Sequence, residues 1–238
     1  MPEAKGRSFY DRDYFEARTR QSVRHTHEII YPLAERTARL LCSRLHPSRV
    51  LDIGCAKGFL VDAFRALGVP VAFGADVSLY AVSEGAAAVR GRLMVADIQA
   101  GIPLRSASCD LVTALDLFEH LPDPEPALSE IGRVLRSDGV AYLKICHPKH
   151  PNTHRDPSHV NIQPLGYWRR AFRRAGFQSE RLFEAEFAPD QEGLLGRLKA
   201  WVRRWREWAV IGTPADYKFL LRRSPTPGSD NSRRGNAR

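Results

Sequence analysis

Three groups of residues in this 238-residue chain have types and spacing suited to chemistry. Val50-Leu51-Asp52-Ile53 is a short apolar strand pattern that runs into Gly54-Cys55-Ala56-Lys57-Gly58 and then into an amphipathic stretch from Phe59. A glycine-bearing turn at the end of a first parallel strand lets backbone amides approach a ligand. The helix behind it presents its free N–H groups there, which is the arrangement of a nucleotide-type cofactor site. Asp76 ends the run Ala72-Phe73-Gly74-Ala75-Asp76 and is followed by Val77. It falls roughly 20 residues past the turn, where an acidic side chain closing a second strand accepts hydrogen bonds from ribose hydroxyls. His120 and His159 form the third group, because neutral imidazole is the side chain best suited to take a proton near neutral pH.

The glycine register narrows the cofactor. A dinucleotide fingerprint, Gly-x-Gly-x-x-Gly counted from Gly54, meets Ala56 and Phe59 instead of its second and third glycines, and Phe59 is too large for close helix–strand packing. The short-chain dehydrogenase spacing needs a glycine where Leu60 stands, and no tyrosine is followed four residues later by lysine. Hydride transfer is therefore disfavoured. Asp52-x-Gly54-x-Ala56-x-Gly58 resembles instead motif I of class I S-adenosylmethionine (SAM)-dependent methyltransferases, Asp/Glu-x-Gly-x-Gly-x-Gly, with Ala56 the one departure.

The resemblance continues in order. Met94-Val95-Ala96-Asp97-Ile98 is similar to the third strand of that family, whose terminal aspartate reads the adenine amino group. Cys109 to Leu121 resembles its fourth strand, with the Glu119-His120 pair typical of the small-molecule, type 11 branch. Ile131 to Val140 resembles the helix, tight turn and fifth strand that the family usually writes Arg-Val-Leu-Lys-Pro-Gly-Gly. Roughly residues 45 to 185 are covered. The resemblance implies SAM as cofactor, held by Asp52, Gly54, Ala56, Gly58, Asp76, Val77, Asp97, Ile98 and Leu115. Lys57, within the motif, is expected to be solvated.

Short apolar runs at 50–53, 71–75, 92–96, 110–114 and 139–145 alternate with helical stretches. That alternation calls for an α/β fold, a doubly wound, mostly parallel sheet, and right-handed crossovers set its topology. A helix ending in Arg174 before Gly176, a strand over 178–187 and a last strand near 217–221 bring the expected count to seven strands. Residues 1–45 read as a helical cap, with apolar residues at 29, 30, 33, 40 and 41 near a helical period over 10–44. Residues 46–223 read as the transferase domain, 188–213 as a helical insertion and 224–238 as a disordered basic tail.

Much of the formal charge of +9 sits near the C-terminus, where Arg222, Arg223, Arg233, Arg234 and Arg238 flank a Ser/Pro/Gly/Asn-rich segment. Nucleic acid is accordingly disfavoured as a partner, although the basic helix around Trp168 to Arg174 would be its other contact. Residues 194–209 align Leu194, Leu195, Leu198, Trp201, Val202, Trp205 and Trp208 on one helical face. That face fits packing against the sheet edge or over the pocket as a lid, or else an interfacial helix making peripheral membrane contact for a lipid-linked substrate. The first fourteen residues lack a signal-peptide core, and no apolar run approaches the roughly 18 residues of a spanning helix, so a cytoplasmic protein is expected. Cys42, Cys55, Cys109 and Cys146 are scattered without a Cys-x-x-Cys pair, which argues for reduced thiols. The oligomeric state stays open.

Methyl transfer to a hydroxyl requires alignment and a proton acceptor. His120 follows the fourth strand, and His159 lies in Asp156-Pro157-Ser158-His159-Val160-Asn161, which resembles the Asp-x-x-His-x-Asn loop of related small-molecule enzymes. The Asn/Asp-Pro-Pro-aromatic motif of base and glutamine N-methyltransferases is missing where the chain reads Leu115-Asp116-Leu117-Phe118. The acceptor expected is a hydroxyl on a small molecule, sugar or glycan. Asp116-x-x-Glu119-His120 resembles the Glu-x-x-Glu-His of metal-using quinone-biosynthesis O-methyltransferases, but the spacing of His147, His150, His154 and His159 matches no standard site. No metal is expected.

Overall fold

The computed structural model describes residues 6–16, 25–150, 153–182 and 216–224. The 188–213 insertion with its tryptophan face, residues 225–238 of the basic tail and the far end of the strand expected over 178–187 lie outside the described residues.

Chain order is α1 (Arg12–Phe15), α2 (His27–Leu45), β1 (Arg49–Ile53), α3 (Phe59–Ala66), β2 (Val71–Asp76), α4 (Leu79–Ser83), β3 (Leu93–Val95), β4 (Cys109–Leu115), α5 (Glu125–Val134), β5 (Leu135–Ile145), α6 (Leu165–Arg174), β6 (Phe177–Leu182) and β7 (Tyr217–Arg223). One seven-stranded sheet runs β3-β2-β1-β4-β5-β7-β6. The first five strands are mutually parallel, and β7 is antiparallel to both β5 and β6. The order reverses between β1 and β4, the switch point at whose carboxyl edge such sheets bind ligands.

Burial on both faces makes β1, β2 and β4 nearly continuous apolar runs, as parallel sheets demand. One face packs α5 and α6 around Phe118, Ile131, Trp168 and Phe172; the other packs α2 and α3 around Ala38, Leu41, Val61 and Phe64. Trp168 is fully buried and donates its Nε1–H to the Gln163 carbonyl at 3.2 Å, so its polar atom is satisfied. The arginines beside it face outward, and Arg174 pairs with Glu125 at 2.9 Å. Among the described residues no helix is long and apolar enough to cross a membrane.

Two local expectations change. The lead-in over 10–44 is not one helix: Asp11 caps the single turn Arg12–Phe15 by accepting the Asp13 and Tyr14 amides, and α2 starts afresh after Thr26. Asp11 thus sets where the first turn begins, whereas Thr26 makes no side-chain cap bond at the start of α2. The tight turn expected before β5 is instead part of the strand. Leu135 pairs with Cys109 and Val140 with Leu111, so the extra residues are absorbed as a bulge.

Gly74 in β2 shows how closely the loop after β1 is packed. A Cβ there would lie 2.6 Å from Cys55 Sγ and 2.8 Å from Leu93 Cδ2. Gly74→Ala is expected to destabilise the fold by about 1–3 kcal/mol through overpacking, and urea unfolding measures it. An unchanged midpoint would show that the loop yields without cost.

Candidate functional site

A cavity of about 660 Å³ opens at the carboxyl edge of β1, β2 and β4. It lies within the range of small-molecule and cofactor sites. Its floor is the loop after β1. Gly54, Ala56 and Gly58 adopt left-handed conformations at φ 72, 48 and 78. The Gly54 and Cys55 amides both donate to the Ala75 carbonyl, at 2.8 and 3.2 Å, which fastens the loop to β2. Ala56 is the only one of the three with a Cβ, and left-handed backbone costs an L-residue about 1–2 kcal/mol.

Asp76 closes this floor. Its Oδ2 accepts the Ala56 amide at 2.7 Å and its Oδ1 the Ser78 amide at 2.8 Å. Each oxygen keeps a second lone pair for a ligand donor. Burial raises the pKa of this carboxyl while the backbone amides pull it down. Asp52, beside Thr113 in the β1–β4 register, accepts the Thr113 hydroxyl at 2.7 Å. With only 4% of its surface exposed, its pKa is pushed up to about 7 by burial.

Asp52, Gly54, Ala56, Asp76, Val77, Asp97, Ile98, Leu115, His120 and His159 all line this one cavity. Gly58 does not. It sits under the loop, where a Cβ would meet Leu93 Cδ1 and Cδ2 at 2.9 Å and Val89 Cγ2 at 3.0 Å, and its amide donates to the Cys55 carbonyl. Its work is to let the loop turn into α3. Lys57 is not solvated: its ammonium is buried against Glu16 Oε1 at 2.7 Å and lies 5.7 Å from the centre of the Tyr80 ring.

Several residues that the sequence reading assigned no role complete the walls. Tyr10, Tyr14, Phe15 and His25 line the cavity, with neighbouring rings of this group meeting edge to face at 5.1–5.2 Å. The segment carrying the first three is held at several points. The Tyr10 carbonyl accepts the Ser78 hydroxyl, Glu16 takes Lys57 and the Tyr80 hydroxyl, and the Tyr14 hydroxyl donates to Asp156 Oδ2 at 3.1 Å. Tyrosines at 10 and 14 within an otherwise charged N-terminus were the available signal.

At the far wall, Lys144 bridges Asp116 at 2.7 Å and Asp216 at 3.4 Å, and Asp116 has a left-handed φ of 51. Glu119 is buried; its Oε1 accepts the Cys146 amide, while its Oε2 has no hydrogen-bond partner among the described residues. Burial and the charge of Asp116 push its pKa up to about 8. The Glu119 carbonyl accepts the amides of Val160 and Asn161 at 2.9 Å, pinning the 156–161 loop. In that loop His159 Nδ1 lies 2.6 Å from the Thr153 carbonyl and His120 Nδ1 2.9 Å from Ser158 Oγ. The two imidazoles meet at 4.7 Å. Burial and His159 hold the pKa of His120 down to about 4, so it is neutral at pH 7.

Comparison with known proteins identifies the family. A family model described as a methyltransferase domain matches residues 25–182, and the chain belongs to the class I SAM-dependent methyltransferases, close to the type 11 branch. The uncharacterized methyltransferase YcgJ of Bacillus subtilis is 28% identical over 78% of this chain and 74% of its own length. The ubiquinone biosynthesis O-methyltransferase of Paracidovorax citrulli is 31% identical over 42% of this chain and 44% of its own. A SAM-dependent methyltransferase structure from Archaeoglobus fulgidus shares the fold with a TM-score of 0.61 at 19% identity, covering 87% of this chain and 97% of that one. The protein is an enzyme, and SAM is its cofactor.

The buried Asp52 makes stability depend on pH with a defined sign. Its folded-state pKa lies above that of the unfolded chain, so its contribution is complete below about pH 4 and is lost as the pH rises through about 7. Asp52→Asn keeps an acceptor for Thr113 and cannot ionise. Relative to this variant the wild-type enzyme is expected to lose stability steadily from pH 4 to 7.5, as measured by urea unfolding at each pH. Parallel pH curves for the two proteins would refute the assignment.

Proposed function

We propose that this enzyme transfers the methyl group of SAM to a hydroxyl oxygen of a small molecule, sugar or glycan. The observation that supports the reading most is the pair of imidazoles facing one cavity with the cofactor floor, His120 among them held neutral at pH 7 by burial. His159 Nδ1 is engaged by a carbonyl and His120 Nδ1 by a hydroxyl, which leaves their Nε2 atoms to take a proton. His159 and His120 are thus the proton acceptors of the reading. SAM supplies an electrophilic methyl whose S–C bonding pair stays on sulfur as the acceptor oxygen forms the new O–C bond.

The chain's residues fit that cofactor. Asp76 keeps acceptor lone pairs at the end of β2, as a ribose diol requires, and Asp97 with Ile98 offers a carboxylate beside an apolar side chain for the adenine. Gly54, Ala56, Val77 and Leu115 shape the bed between them, with Asp52 bracing β1 from beneath. We likewise read residues 46–223 as the transferase domain and 1–45 as its cover, because Tyr10 and Tyr14 line the same cavity. The ubiquinone biosynthesis relatives, O-methyltransferases by name, favour oxygen as the methylated atom.

Asp76→Ala is expected to weaken binding of S-adenosylhomocysteine by about tenfold or more in calorimetric titration, since it removes a charged acceptor of hydroxyl donors. An unaltered Kd would overturn the ribose assignment. Isotope-labelled SAM offered with a panel of hydroxyl-bearing and amine-bearing acceptors tests the chemistry. Label recovered in amines alone would defeat the hydroxyl reading.

A further inference from the structure

The two histidines are not equivalent, and the difference lies in what stands behind each ring. His159 Nδ1 faces the Thr153 carbonyl, a neutral acceptor. His120 Nδ1 faces Ser158 Oγ, and the Ser158 hydroxyl in turn donates to Asp156 Oδ1, which also accepts the Ser158 amide at 2.8 Å. The other carboxylate oxygen, Oδ2, accepts the Tyr14 hydroxyl. Asp156 and Ser158 are both buried.

Proton counting fixes the direction. A serine hydroxyl has one hydrogen, and a carboxylate oxygen can only accept. With that hydrogen committed to Asp156, Ser158 Oγ presents lone pairs to His120, so Nδ1 must carry the imidazole proton. The Tyr10 hydroxyl, at 3.5 Å from Nδ1, makes only a long contact beside the 2.9 Å one from Ser158. Nε2 is then the unprotonated nitrogen. We infer that His120 Nε2 is the proton acceptor of the reaction and that Ser158 and Asp156 are its positioning residues, holding the ring in the Nδ1–H tautomer and placing a carboxylate behind it. Tyr14 orients that carboxylate from the N-terminal segment.

The inference rests on the hydroxyl-methylation reading and adds the path of the proton. As the acceptor's O–H bond breaks, its electron pair forms the O–C bond and its proton goes to His120 Nε2. Nδ1–H stays with Ser158, and the positive charge on the ring is opposed by Asp156 through one bridging hydroxyl. A lone carbonyl behind His159 offers no such counter-charge. His159 and Asp116, which also act on the ring electrostatically, push its proton affinity in opposite directions.

The test is to read the tautomer directly by long-range ¹H–¹⁵N correlation on the ¹⁵N-labelled full chain, with and without S-adenosylhomocysteine, assigning His120 by the signals lost in His120→Gln. The wild-type ring is expected to carry its proton on Nδ1. Ser158→Ala should introduce a substantial Nε2–H population at His120 while His159, bonded to Thr153, stays Nδ1–H. Ser158→Thr, which keeps the hydroxyl, should restore the wild-type pattern. A wild-type His120 protonated on Nε2, or a tautomer unmoved by Ser158→Ala, would overturn the relay. The wild-type measurement decides this even if Ser158→Ala does not fold. Failure to bind S-adenosylhomocysteine would instead count against the cofactor site, leaving the tautomer readable in the free protein.

Discussion

One carboxylate holds the binding face together. Asp76 accepts an amide from the loop after β1 and another from the loop after β2, and so ties the two loops at the sheet's switch point. Both bonds are short and nearly buried, where a charged acceptor of N–H groups is worth more than a neutral one. The left-handed turn at Ala56 follows from it: the backbone bends to present that amide to Asp76, and the strain of a Cβ at φ 48 is tolerated because the bond compensates. Gly74 and Gly58 meet the same demand from below, each leaving room that a side chain would fill.

A second layer of constraint surrounds the far wall of the cavity. Lys144 is buried between Asp116 and Asp216 and so joins the ends of β4, β5 and β7. Glu119 secures the 156–161 loop through its backbone carbonyl, while among the described residues its own carboxylate is only half satisfied. The loop after β1, fastened to β2, thus forms the floor of the cavity, and loops pinned by single polar groups form the wall opposite it, as is common where one scaffold serves different ligands.

The cofactor floor was legible because its signals are local. Glycine at fixed offsets, an acidic residue closing the second strand and runs of apolar residues each depend on neighbours within a few positions, and sequence spacing records them directly. The seven-stranded sheet followed from the same runs, whereas the bulge at Leu135 did not, because it reflects pairing with Cys109 and Leu111 rather than any turn residue. His120 and His159 could be named as candidates, but what distinguishes them could not be read. Ser158 and Asp156 sit 38 and 36 places from His120 along the chain and reach it only once β4 and β5 are side by side. Lys57 looked like a solvated cation because its partner, Glu16, comes from 41 residues away.

The N-terminal segment has a consequence for the order of events in synthesis. Its tyrosines contact His120 and Asp156 across 110 and 142 residues, and each contact requires loops that the ribosome makes much later. Closing so long a loop yields nothing until both ends are structured. A nascent chain holding only the first three strands would display Tyr10 and Tyr14 with the His120 and Asp156 side of their docking surface still unmade. The segment's anchors on Ser78, Lys57 and Tyr80 are available early, but the aromatic wall is complete only when the loops carrying His120 and Asp156 have joined it.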